Sequence, residues 1–247
     1  MKELNKYFDH YTINARFKPV FFTLLPFVLT MFAWCPEVKT LGGGILTLSI
    51  SFGVMTFLSG FISNLGNKKQ DELFTKWQGA PSTNIIRHND SIIDKYTKER
   101  YRQWLDQEIT DFNMPTREEE QEQPDDADHK YRSATNFLRE FTRDKKKFPA
   151  IYRDNVIYGF SRNLLSIRVF GFLLSALCML INSVLLINNL IFANRMTSGF
   201  ESTYLGVGAV IISFIFIFIF AFIVNDNFVK ARAYRYAKSL YETCEIS

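Results

Sequence analysis

The sequence predicts an all-α membrane protein with four transmembrane helices in two hairpins and a mainly helical cytoplasmic domain inserted between the hairpins. Hydrophobic residues make up 47% of the chain and charged residues 22%, and the two kinds are segregated along it. A helix needs about 20 apolar residues to cross a hydrocarbon core about 30 Å thick. Four nearly uncharged windows have this character, at residues 19–35, 41–65, 169–192 and 204–225.

Basic residues predict the orientation, because cytoplasmic flanks retain Lys and Arg while short translocated loops lack them. Each short connection within a hairpin holds a single basic residue, Lys39 or Arg195. We therefore expect a multi-pass protein of the cell inner (plasma) membrane with both termini in the cytoplasm. The basic flanks before the first window and after the fourth contain Lys2, Lys6, Arg16, Lys18, Lys230, Arg232, Arg235 and Lys238.

The same patterns divide the chain into segments. Residues 1–18 are predicted to be a cytoplasmic N-terminal segment, which either lies in the membrane interface as a helix or serves only as a topogenic flank. A cleaved signal peptide fits poorly, since Pro26 interrupts the first apolar run. The other predicted segments are hairpin 1 (19–65), the cytoplasmic domain (66–166), hairpin 2 (167–225) and a cytoplasmic C-terminal tail (226–247).

Within the cytoplasmic domain, helices are predicted at 67–77, 94–109, 127–147 and 150–166. Short strands at 84–86 and 91–93 are an alternative for the region between the first two. The acidic, proline-punctuated stretch 116–128 is predicted to be a solvated linker or loop, although Thr116 and Glu119 have the spacing of a capping box. Basic and acidic residues balance across 66–166, so we expect no binding of duplex nucleic acid.

Small residues recur every three or four positions in the second and third apolar windows. Such a stripe lets another helix approach closely. Two interpretations remain open, which are packing within one four-helix bundle and a seam between protomers. The residues are Ser49, Gly53, Thr56 and Gly60 in the second window and Gly171 and Ser175 in the third.

Two amides in the third window, Asn182 and Asn189, are seven residues apart and share a helix face. An amide in hydrocarbon needs a partner or water. These residues either make interhelical hydrogen bonds or line a polar path. The windows contain no Asp, Glu or Lys, which argues against a proton-coupled transporter.

The densest cluster of candidate ligand-binding residues lies at 77–101. It combines aromatic rings, hydroxyls and cations, and arginine forks with stacking rings suit an anionic ligand such as a nucleotide. The alternative is structural, with Trp77 and Tyr101 packing the domain and the polar residues forming an internal network. The candidates are Trp77, Ser82, Thr83, Arg87, His88, Asp90, Lys98, Arg100 and Tyr101.

Catalytic, metal and cofactor sites are not predicted. Ser82, His88 and Asp90 are the only nearby trio of nucleophile, base and acid, and no Walker or Rossmann glycine pattern is present. The predicted topology keeps Cys35, Cys178 and Cys244 apart. The chain is therefore predicted not to be an enzyme.

The pattern Trp77-x-Gly79-x-Pro81 followed by Arg87-His88-x-Asp90 resembles one in uncharacterised bacterial four-helix membrane proteins. The layout of hairpin, domain and hairpin is also similar to that of small membrane effectors of bacterial antiphage systems. The resemblance implies a membrane location and no particular activity.

Together these features predict an oligomeric bacterial membrane protein whose cytoplasmic domain senses a ligand or a protein partner and whose helices form a pore or disrupt the bilayer. A homo-oligomer is expected because four helices of one protomer enclose little room for an aqueous path. One alternative is a non-conducting anchor or scaffold that recruits a cytoplasmic partner. A second is a small-solute transporter with a midplane site at Asn182 and Asn189.

Overall fold

The computed structural model describes residues 9–192 and 199–245, without the side chains of residues 41, 46–51, 192 and 199–202. The structure is 84% helical, and these residues contain no strand, which confirms the all-α class. The alternative of short strands at 84–86 and 91–93 is wrong, because turns and bends occupy most of this region.

The helices follow one another with short connections. Two π-helical segments, Thr12–Phe17 and Ile219–Ile223, adjoin apolar helices, and 3₁₀ turns lie at Pro36–Lys39 and Glu242–Glu245. In chain order the α-helices are α1 (Lys18–Trp34), α2 (Leu41–Lys76), α3 (Pro81–Asn84), α4 (Lys95–Glu108), α5 (Arg117–Glu122), α6 (Pro124–Phe141), α7 (Pro149–Ser166), α8 (Arg168–Phe192), α9 (Gly199–Phe218) and α10 (Asp226–Tyr241).

Among the described residues, three helical segments are long and apolar enough to cross a membrane: Thr12–Trp34, Arg168–Ile191 and Thr203–Ile223. This finding supports a membrane protein. The first segment begins at Thr12, so the predicted boundary at residue 18 falls inside a helix. The window 41–65 lies in α2 but is not among the three, so the four-helix layout stays a prediction.

The chain forms two compact units. The apolar unit comprises Met1–Lys69 and Gly159–Phe228, and the polar unit comprises Gln70–Tyr158 and Val229–Ser247. The predicted C-terminal tail, residues 226–247, is not simply an extended end of the chain, because it contains helix α10. Helix α10 contributes Ala237, Leu240 and Tyr241 to the buried core of the polar unit.

Helix α6 supplies the central wall of the polar unit. Its buried residues recur at helical spacing and include Tyr131, Ala134 and Leu138, which are fully buried. Tyr241 of α10 lies against this helix, with its hydroxyl 3.1 Å from Thr135 Oγ1. Tyr101 of α4 stacks on Tyr241 with 6.4 Å between ring centroids. The three helices therefore share one core.

The acidic stretch 116–128 is helical rather than a linker or loop. The Thr116 hydroxyl accepts a hydrogen bond from the Glu119 N–H, and the Glu119 carboxylate accepts one from the Thr116 N–H, so a capping box starts α5. Pro124 then occupies the first position of α6. Helix α6 ends at Phe141 instead of Lys147, because a turn precedes α7.

Burial makes Cys244 a testable reporter of the polar unit. Burial raises the pKa of its thiol to about 12 from an ordinary 9.0, and only the thiolate reacts with alkylating reagents. We expect Cys244 to resist iodoacetamide at pH 8 in the folded protein and to react readily in denaturant. Mass spectrometry of the C-terminal peptide measures this, and equal labelling rates in both states would contradict the burial.

Two amides of α8 make interhelical hydrogen bonds. The indole N–H of Trp34 donates to Asn182 Oδ1 at 2.8 Å, and Asn182 Nδ2 donates to Thr30 Oγ1 at 2.8 Å. Asn189 Nδ2 donates to Thr203 Oγ1 at 2.9 Å. Asn182 therefore joins α8 to α1, and Asn189 joins α8 to the start of α9.

The two halves of the small-residue stripe have different surroundings. A Cβ at Gly171 would overlap the ring of Phe220, and buried Ser175 donates to the Gly171 carbonyl at 2.7 Å. Gly53 and Gly60 have nothing within 4 Å of an added Cβ. Thr56 bonds its own helix at the Phe52 carbonyl, and the side chain of Ser49 lies outside the described residues.

Candidate functional site

The Trp-x-Gly-x-Pro motif forms a corner between α2 and α3. Gly79 adopts φ +132°, which favours glycine, and its N–H donates to the Phe74 carbonyl at 2.8 Å. Ala80 is extended, as expected before a proline, and Pro81 starts α3. Asn84 Nδ2 donates to the Trp77 carbonyl at 3.0 Å. The motif therefore has a local structural role.

The Arg-His-x-Asp pattern lies in the turn that follows α3, and its backbone is held from several sides. The buried ammonium of Lys98 donates to the carbonyls of Arg87 and Asp90 at 2.6 and 2.7 Å. His88 Nε2 lies 3.0 Å from the Pro115 carbonyl oxygen. The His88 N–H donates to Glu120 at 3.0 Å. Burial lowers the pKa of Lys98. These contacts favour the structural interpretation for His88, Asp90 and Lys98.

Arg102 is the centre of this network, although it is not among the residues predicted from the sequence. It is 4% exposed and donates to the carbonyls of Pro115 at 2.8 Å and Ile86 at 2.7 Å, and to the Tyr131 hydroxyl at 3.1 Å. Tyr131 in turn donates to Glu120 at 2.6 Å. Burial opposes ionisation of Glu120, but the hydrogen bonds from Tyr131 and the His88 N–H outweigh it and lower the pKa.

A cleft of about 470 Å³ opens in the polar unit beside the α2–α3 corner, and we call it the arginine cleft. Ser82 and Thr83 of α3 and Phe74 of α2 line one part of it. Helix α6 presents the opposing residues at spacings of three and four, which place them on one helix face. These residues are Asp128, Arg132, Thr135, Asn136 and Arg139.

The arginine cleft is lined by three arginines and one carboxylate, Asp128. Arg87 forms an ion pair with Asp128 and lies 5.5 Å from the centroid of the Tyr131 ring. Arg139 reaches Ser82 Oγ at 3.3 Å. Within the described residues, neither Arg132 nor Arg139 has a carboxylate partner, and both are exposed. Two guanidinium groups are thus available to an anion.

The structure separates the nine predicted ligand-binding residues. Ser82, Thr83 and Arg87 line the arginine cleft, whereas His88, Asp90 and Lys98 line a second cavity of about 260 Å³. The remaining three lie elsewhere: Trp77 packs on Phe74, Arg100 pairs with Glu245 at 2.6 Å, and Tyr101 is in the core with its pKa raised to about 12 by burial.

Arg132 and Arg139 were missed because they follow the predicted cluster by more than thirty residues in sequence. The helical periodicity of 127–141 could have indicated them, because Arg132, Asn136 and Arg139 recur at spacings of three and four residues on the side of the helix away from its buried residues. Only the packing of α6 beside α3 brings them next to Ser82.

The arginine cleft can hold an anion chemically, since guanidinium forks and hydroxyls suit phosphate oxygens and Phe74 adds an aromatic wall. A metal ion is not suggested by the described part of the chain, which holds no cluster of three or more His, Cys, Asp or Glu side chains. Comparisons of this sequence and structure with protein-family models, curated proteins and solved structures find no match.

Proposed function

We propose that this protein is a ligand-responsive membrane protein. Its polar unit binds a phosphate-bearing small molecule, such as a nucleotide, and its apolar helices, assembled from several copies of the chain, then form a pore or perturb the bilayer. The observation that carries the proposal is that Arg132 and Arg139 line the same cleft and that neither forms an ion pair with a carboxylate of the described residues. The same chain also has helices long enough to cross a membrane.

The dimensions and chemistry of the cleft support a ligand of nucleotide class. Its volume of about 470 Å³ lies in the range of roughly 300–1,000 Å³ that is typical of small-molecule sites. Arg132 and Arg139 can clamp phosphate oxygens with paired N–H groups. The ring of Phe74 offers a stacking surface at the same cleft.

The chain connections support a response in the apolar unit. Helices α2, α7 and α10 each contribute residues to both units. The few apolar helices of one chain leave little room for an aqueous path between them. A conducting path therefore requires several copies of the chain around an axis. A role in antiphage defence belongs to this proposal through the similarity of layout alone.

Calorimetric titration of the detergent-purified protein with ADP and with inorganic pyrophosphate tests the ligand. We expect Arg132→Ala and Arg139→Ala each to weaken binding about tenfold or more, since a hydrogen bond to a charged group is worth roughly 1.5–3 kcal/mol. Arg143→Ala is the matched control, because Arg143 is exposed, pairs with Glu140 and lies outside the cleft. Absence of binding, or equal losses in all three variants, would contradict the site.

Dye release from liposomes that contain the protein tests the membrane response. ADP should release dye from wild-type liposomes and not from those with Arg139→Ala. Binding without release would exclude the permeabilising role and favour the non-conducting anchor that recruits a cytoplasmic partner.

A further inference from the structure

The apolar unit contains a cavity that is separate from the arginine cleft. It has a volume of about 230 Å³, which exceeds the roughly 150 Å³ of an engineered apolar cavity that binds benzene. Residues of α1, α2 and the α7–α8 junction line it, including Val20, Thr23, Leu58, Ile62, Leu65 and Ile167.

The lining suits a hydrocarbon chain with one hydrogen-bond acceptor. Most of the wall is aliphatic, and Phe61 and Phe170, which also line the cavity, are 57% and 54% exposed, so the cavity opens to the surface of the apolar unit. Thr23 is 1% exposed, and its hydroxyl has no hydrogen-bond partner among the described residues. A buried hydroxyl without a partner is costly, and an ester carbonyl of a lipid would supply the acceptor.

Basic residues stand about one helical turn beyond this cavity on α2, on α7 and in the π-helical segment that precedes α1. Arg16 precedes Val20 by four residues, Lys69 follows Leu65 by four, and Arg162 precedes the lining residue Ser166 by four. Residues four apart lie on the same face of a helix. The cation on each helix therefore continues the face that lines the cavity.

Contacts between the helices place these turns at one level. Asn163 Nδ2 donates to the Ala15 carbonyl at 2.7 Å, and a Cβ at Gly66 would overlap the Asn163 amide. Ala15 and Asn163 are the sequence neighbours of Arg16 and Arg162, and Gly66 lies three residues before Lys69. The three basic residues therefore belong to neighbouring helical turns at one end of the cavity.

We propose that this cavity binds one anionic phospholipid, with an acyl chain in the cavity and the phosphate headgroup at Arg16, Lys69 and Arg162. Basic pockets between membrane helices recognise anionic headgroups through the same combination of charge and apolar depth. The site is independent of the arginine cleft, since all its residues belong to the apolar unit.

Native mass spectrometry of delipidated protein, resupplied with phosphatidylglycerol or phosphatidylcholine, tests the proposal. We expect one phosphatidylglycerol per chain, retained at least tenfold better than phosphatidylcholine, and no displacement by glycerol phosphate, which lacks the chains. Arg16→Gln together with Lys69→Gln should abolish the preference for phosphatidylglycerol. Equal retention of the two lipids by the wild type would overturn the headgroup assignment.

Filling the cavity tests the position of the acyl chain. Ile62→Trp should lower phosphatidylglycerol retention about tenfold, whereas Leu180→Trp, at a residue that is 63% exposed on α8, should not change it. Size-exclusion chromatography verifies folding of each variant, and Leu58→Phe replaces Ile62→Trp if the latter aggregates. Undiminished retention in a folded cavity-filled variant would refute the site.

Discussion

Replacing Arg102 by alanine is expected to destabilise the polar unit by roughly 3–5 kcal/mol, because each buried acceptor that loses its donor costs about 1–3 kcal/mol. Three acceptors would lose the hydrogen bond from Arg102: the carbonyls of Ile86 and Pro115 and the hydroxyl of Tyr131, with His88 Nε2 still 3.0 Å from the Pro115 carbonyl. These groups belong to the turn after α3, the segment before α5 and helix α6, so the loss would loosen the contacts that position the arginine cleft.

Arg100→Ala is the matched control for Arg102→Ala. Arg100 lies on the same helix but is largely exposed, and its ion pair with Glu245 is solvent-accessible. Exposed ion pairs are worth about 0–1 kcal/mol. Hydrogen exchange of peptides from α4 and α6, measured on the full chain, reports the local free energy of opening. If Arg102→Ala lowered the local free energy of opening by less than about 1 kcal/mol, the network would not stabilise this unit.

Replacing Gly171 by alanine is expected to destabilise the apolar unit by about 1–3 kcal/mol, the usual cost of overpacking a core. The new methyl group would overlap the ring of Phe220, which is fully buried and cannot swing into open space. Phe220 also lies in the π-helical segment whose carbonyl groups are held by Arg168, at 2.7 Å to Phe220 and 2.6 Å to Ala221. A displaced ring would therefore strain the end of this helix.

Gly53→Ala and Gly60→Ala provide controls with the same change of side chain. Nothing lies within 4 Å of an added Cβ at either glycine, so we expect no loss of stability within the monomer. Thermal unfolding in detergent compares the three variants, and Phe220→Leu should relieve the defect of Gly171→Ala. Equal destabilisation at all three positions would instead indicate that the α2 stripe is covered in the purified protein, as a seam between protomers predicts.

Much of the helical framework was predictable because its signals are local. The helix expected at 94–109 is α4, and the Asp94 side chain accepts from the Thr97 N–H at its start. The helix expected at 150–166 is α7. The stretch 116–128 was predicted incorrectly, since its acidic composition outweighed the capping spacing of Thr116 and Glu119.

The candidate site was predictable only in part. Ser82, Thr83 and Arg87 were selected and do line the arginine cleft, because turn residues and a cation stand together in sequence. Lys98 was predicted to bind a ligand, but its ammonium group donates hydrogen bonds to two backbone carbonyls. Whether a charge faces a ligand or holds a turn depends on neighbours that a linear pattern does not contain.

The sequence by itself determined three membrane-length apolar helices and many helix ends, since hydrocarbon solvation and capping act over a few neighbouring residues. Only the tertiary structure decided that α10 completes the core of the polar unit and that Arg132 and Arg139 meet Ser82. It also decided that Arg102 is buried rather than exposed. The reason is physical: burial and charge pairing are set by segments distant in sequence that pack together, and helical periodicity limits those contacts without choosing among them.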